Sequence, residues 1–156
     1  MVLVAGLASG QDTATFSVIG VRGKSVTLSV ADLQALSPRL LEATDPHSKE
    51  KAAYLVVPLS KVLAMADVPF GTLLKGSFLA ATVRAEARDG YRVAFSLVEL
   101  DAMVASSEVF VAFQRDGKPL PAEMGPFRLI VPTDKRGARW IRQLSRVIRV
   151  EVGPES

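Results

Sequence analysis

Short runs of alternating apolar and polar residues, each stopped by a turn signal, recur along this chain and leave little room for long helices. The clearest pair is Leu79 to Ala87 ("LAATVRAEA") and Tyr91 to Phe95, joined by Arg88-Asp89-Gly90. Alternation puts every second side chain on one face of a strand, and Asp-Gly is the reversal that a hairpin needs. Thr15 to Val21 and Lys24 to Val30 make a second such pair around Arg22-Gly23. Arg39 to Thr44, Glu108 to Gln114, Phe127 to Val131 and Leu144 to Val152 read as further strands, and "TDPHSKEK" after the first of these as a polar loop.

Helical signals are few and short. Ser29 or Asp32 can cap a helix that reaches Leu36 and stops before Pro38. In "VPLSKVLAMADVP", Pro58 suits a first turn, Leu59, Val62, Leu63 and Ala66 form one apolar stripe, and Pro69 marks the end. Ser96 with Glu99 three residues on is a capping box. These elements predict the α+β class: a single compact domain, mostly β-sheet with a few short helices.

The 156 residues suffice for one core, and 49% of them are hydrophobic, which argues against general disorder. No linker, repeat or low-complexity tract divides the chain. There is no cysteine and only one histidine, His47. This removes disulfides, thiolate chemistry, cysteine-bound metals and a multi-histidine metal site within one chain. No apolar run approaches the ~20 residues that span a bilayer. The opening "MVLVAGLASG" is apolar and ends in small residues, like the back half of a secretory signal without its basic start. Residues 1–10 are therefore expected to be a signal-peptide remnant or a disordered terminus. The domain would occupy 11–156, and the protein would be exported to the periplasm or, if the opening is no signal, be cytoplasmic.

Positive charge gathers late in the chain. Lys135, Arg136, Arg139, Arg142, Arg146 and Arg149 surround Trp140, the one tryptophan, with Asp134 the one acid among them. The arginine spacing fits a helix face, but Val147, Ile148, Val150 and Val152 favour a strand, so a loop or helical turn to about Arg142 followed by a strand is expected. Guanidinium groups on such a loop bind phosphate in bidentate fashion, and an indole beside them stacks on a planar ring. A solvated basic surface with Trp140 as a core anchor is the competing reading. His47 is either an exposed loop residue or a hydrogen-bond donor to an anion; Asp45 and Asp134 are either turn formers or acids and bases. Tyr91 either packs or presents its hydroxyl at a pocket rim. No phosphate loop, dinucleotide fingerprint or nucleophile elbow is present. Aromatics are few and not interleaved with the arginines along a strand, which argues against a nucleic-acid platform.

The series "VPLSKVLAMADVP", "EARDGYRVAFSLVELD", "DGKPLP", "GPFRLIVP" and "GARWIR" resembles the molybdopterin-binding domain of the sulfite oxidase family, above all its small stand-alone bacterial members. The resemblance covers about Phe16 to Val152. It implies a compact α+β fold built mainly on sheet and a molybdenum–pyranopterin cofactor whose phosphate is gripped by basic residues. Arg139 and Arg142, with Lys135 and Arg136, would occupy the pterin-phosphate positions beside Trp140. His47 would fall in a cofactor-contacting loop, and Tyr91 close to the pocket. Catalytic members of the family ligate molybdenum through a cysteine, which this chain lacks. Two functions stay open: a non-catalytic binding module for a phosphorylated pterin-like anion or a protein partner, and a molybdopterin-dependent oxidoreductase with non-cysteine ligation. Catalytic residues are left unassigned, and no protein metal ligand is expected.

Overall fold

Burial follows the alternation along the first strand. Along β1 (Thr15–Ile19), Phe16 and Val18 are buried while Thr15 is exposed, so one face of the strand belongs to the core. The computed structural model describes residues 13–106 and 108–150. The expected leader at residues 1–10, and the continuation of the last strand to Val152, lie outside the described residues.

The remaining elements, in chain order, are β2 (Ser25–Ser29), α1 (Val30–Gln34), β3 (Arg39–Thr44), β4 (Lys51–Pro58), α2 (Leu59–Ala64), β5 (Thr82–Ala87), β6 (Arg92–Ser96), β7 (Phe110–Arg115), β8 (Lys118–Pro119), β9 (Arg128–Ile130) and β10 (Leu144–Val150). Single 3-10 turns punctuate the connections, among them Val98–Leu100 and Gly137–Arg139. The strands form two five-stranded sheets. The first has the order β2-β1-β10-β5-β6, and in the second β3-β4-β7 is followed by β8 and β9, which share one edge of β7. All neighbours are antiparallel except β1 and β10, which run parallel with Val18 opposite Val147. The inner faces meet in one core, where the Phe16 and Phe127 rings lie 4.8 Å apart. The fold is α+β and mostly sheet, as expected.

Local signals hold where turn chemistry is strong. The β5–β6 reversal closes through Ala87 N–H to Tyr91 O at 2.8 Å, with Gly90 at φ 89, the left-handed value glycine adopts without strain. Ser29 and Asp32 form a reciprocal capping box on α1, so both candidate caps take part. Ser96 and Glu99 do the same on the 3-10 turn that follows.

Three expectations need correction. The polar loop after β3 is shorter than "TDPHSKEK": Asp45 N–H bonds Glu50 O at 2.9 Å, and the chain re-enters the sheet at Lys51. The strand β4 that follows has no counterpart in the sequence reading, because polar Lys51 and the helical pattern after Pro58 mask it. The helix α2 starts at Leu59 and keeps only six residues, with Pro58 ending β4 and Asp67 at φ 63 reversing the chain. Its stripe of Leu59, Val62, Leu63 and Ala66 is nonetheless fully buried. Residues 76–80 form a 3-10 turn, and β5 begins only at Thr82. Finally, Val21 N–H donates to Ala66 O at 3.1 Å, and a Cβ at Gly20 would collide with that same carbonyl, so β1 and the end of α2 touch backbone to backbone.

Candidate functional site

Three connections meet at one end of the sandwich and enclose a cleft of about 300 Å³. The β3–β4 turn brings Asp45 and His47. The β5–β6 hairpin brings Ala87, Asp89 and Tyr91. The segment from Gly137 to Arg142 forms the opposite wall, and Arg128 of β9 lies beneath. Each connection is held by its own turn chemistry. Asp45 Oδ1 accepts from the N–H groups of His47 and Ser48, and Asp89 Oδ1 accepts from Tyr91 N–H at 2.9 Å. The Tyr91 hydroxyl donates to Ala138 O at 2.6 Å and ties two of the walls together.

Below the cleft is a buried ion pair. Arg128 Nη1 donates to Asp45 Oδ2 at 3.1 Å, and both side chains are almost wholly excluded from water. Arg128 Nη2 donates to Trp140 O at 3.2 Å, and the guanidinium lies 5.3 Å from the indole centroid. Burial pushes the Asp45 carboxyl up, but the His47 N–H and the Arg128 charge overcome it and hold the group below its ordinary value. Burial also pulls Arg128 down, against the attraction of Asp45. The hydroxyl of Tyr54, edge-on to Trp140, and Arg128 Nε are buried without a hydrogen-bond partner among the described residues. Burial pushes the Tyr54 phenol up, so it stays neutral.

Of the sequence-selected residues, the structure brings His47, Tyr91, Trp140 and Arg142 to the cleft. Trp140 is a buried floor residue: its indole N–H donates to Val131 O at 2.9 Å and one ring face is covered by Arg128. The stacking role that the sequence offered it therefore gives way to core anchoring. Arg139 turns away. Its Nε and Nη2 bond both oxygens of Asp134 at 2.8 Å, Nη1 reaches Glu99 at 3.1 Å, and its plane covers Phe95 at 4.5 Å. These carboxylates hold its charge more firmly than usual. Lys135 and Arg136 stand exposed outside the cleft wall. Arg142 is different: half-buried on the wall, it makes no hydrogen bond or ion pair with the described residues.

Sequence reasoning missed Arg128 altogether. Its signal was a charged residue inside the apolar run Phe127 to Val131, which a strand buried on both faces accepts only with a partner. The cleft's formal charges are two arginines against two aspartates, but Asp45 is engaged by Arg128 and Asp89 by a backbone N–H. This leaves the Arg142 guanidinium as the free cation of the lining. Among the described residues no group of three His, Cys, Asp or Glu is placed to hold a metal ion, and no helix is long and apolar enough to cross a membrane.

The fold agrees with that of a much larger protein. The sulfane dehydrogenase SoxCD from Paracoccus pantotrophus superposes with a TM-score of 0.69 at 19% identity, over 94% of this chain and 40% of that one. The chain thus spans well under half the length of that structure, and the likeness is one of fold. No curated protein matches the sequence. A family model described as "oxidoreductase molybdopterin binding domain" matches residues 6–154, nearly the whole chain. This match agrees with the resemblance read from the motifs, and the chain belongs to the oxidoreductase molybdopterin binding domain family.

Proposed function

We propose that the cleft takes a small phosphorylated anion bearing a planar ring, of the pterin class, and that the chain is a binding module and not a sulfite-oxidase-type enzyme. The observation that carries this reading is Arg142: a half-buried guanidinium facing the cleft with no acid of its own. A guanidinium offers a phosphate two parallel N–H donors. The Tyr91 ring, 48% exposed on the facing wall, and the His47 imidazole supply planar surfaces for a ring.

The organic part of a molybdopterin fits this donor set, and the metal does not. Molybdenum held on a protein side chain in this family needs a soft thiolate, and the sequence has no cysteine. Asp45, the buried carboxylate of the cleft, is already engaged by Arg128 and two backbone N–H groups. Within the proposal, Arg142 binds the phosphate, Tyr91 and His47 flank the ring, and the Arg128–Asp45 pair fixes the floor on which these stand.

The test compares a phosphorylated 6-hydroxymethylpterin with its unphosphorylated form by fluorescence titration. The phosphorylated pterin should bind more tightly, and Arg142→Gln should erase the difference. Equal binding of the two forms, or none, overturns the reading. Metal analysis of protein from a host that makes the cofactor adds a second check. Stoichiometric molybdenum would favour the oxidoreductase with non-cysteine ligation.

A further inference from the structure

The first sheet has an outer face that the cleft does not use. Strand register places Ser17, Arg146, Glu86 and Arg92 side by side across β1, β10, β5 and β6, with Arg84 on the next rung. Alternation turns these residues away from the core, since their neighbours Val18, Val147, Ala85 and Phe95 point inward and are buried. Glu86 is nevertheless a nearly buried carboxylate. Its Oε2 accepts from Arg146 Nε and Nη2 at 2.9 and 2.7 Å. Its Oε1 accepts from Arg84 Nε at 2.8 Å and has Arg92 Nε at 3.4 Å. The side chain of Glu86 is 9% exposed, while those of Arg84, Arg92 and Arg146 are 38%, 61% and 42% exposed. The three arginines cover the acid and remain in contact with water.

We propose that this arginine fan is a docking surface for an acidic face of a partner protein. Three guanidiniums against one carboxylate leave an excess of two positive charges on a small area. The cluster also holds each group in place by its Nε edge. The terminal Nη atoms of Arg84 and Arg92, and Nη1 of Arg146, make no hydrogen bond with the described residues. Arginine side chains that are already ordered lose little rotamer freedom on binding, so the positions are prepared for carboxylates. Half-buried Ile148 and exposed Ala94 lie on the adjoining rung and give the surface an apolar border, the mixture typical of protein contacts. A nucleic acid fits less well, because the charge is compact and no aromatic side chain stands among the three arginines on that face.

Poly-L-glutamate is the probe. Titrated at low salt and followed by amide chemical shifts, it should perturb Ala94 and Ile148. Arg92→Gln and Arg84→Gln should each weaken binding about tenfold, while circular dichroism shows an intact fold. Arg142→Gln should leave the affinity unchanged. The proposal is overturned if the wild-type protein does not bind the polymer, or if the two fan variants bind as the wild type does. It is equally overturned if Arg142→Gln loses as much as they do, or if a thymidine oligonucleotide or anionic lipid vesicles bind more tightly at the same salt.

Discussion

Arg128 Nη1 stands 3.1 Å from Asp45 Oδ2 beneath the cleft, joining residues 83 positions apart in an interior from which water is excluded. The pair ties the edge strand β9 of the second sheet to the β3–β4 turn. Removing one partner strands the other charge. Asp45→Ala should therefore cost about 3–5 kcal/mol in urea unfolding. Adding Arg128→Met to that variant should recover part of the loss, because no uncompensated guanidinium remains.

Arg139 and Arg142, three residues apart, should part company on mutation. Arg139→Ala removes the tie to Asp134 and Glu99 and the cover over Phe95. A loss of about 1–3 kcal/mol by thermal or urea unfolding is expected. Arg142→Gln should change stability by no more than about 0.5 kcal/mol, while binding of a phosphorylated pterin falls.

Acid should unfold the protein through two carboxylates. Burial raises Asp45 and Glu86, but hydrogen bonds and arginine charges outweigh it and leave both below their ordinary values of 3.8 and 4.5. A carboxyl with a depressed folded-state value stabilises fully above its unfolded value. That stability disappears as pH falls through the folded one. The melting temperature should hold from neutrality down to about pH 5 and then drop. Glu86→Gln should flatten part of the drop.

Gly20→Ala tests the backbone contact between β1 and the end of α2. The added methyl would meet the Ala66 carbonyl, which itself accepts from Val21 N–H. A cost of about 1–3 kcal/mol is expected by thermal unfolding. Gly23→Ala, at φ 71 with open space around its Cβ, should show only the smaller penalty of its left-handed backbone.

The parts of the fold legible in the sequence are those decided within a few residues. The Asp-Gly reversal at 89–90, the Ser29 and Ser96 caps and the apolar stripe of α2 depend on neighbours along the chain. β4 was not legible, since its polar first residue extends the preceding loop and its proline end starts the helical pattern. At the site, the spacing of the arginines named the segment but not the roles. Which guanidinium meets Asp134 and Glu99, and which is left facing the cleft, depends on where β6 and its 3-10 turn lie in space. Arg128 was hidden for the same reason, its acid being supplied by the β3–β4 turn, 83 positions away along the chain.

The parallel seam between β1 and β10 has a consequence for how the protein is made. β10 lies between β1 and β5, so during synthesis the β1–β2 and β5–β6 hairpins are finished long before the strand that joins them leaves the ribosome. Until then each hairpin shows a bare edge. The nascent chain must keep those edges from pairing with strangers until its last described strand arrives to fill the gap.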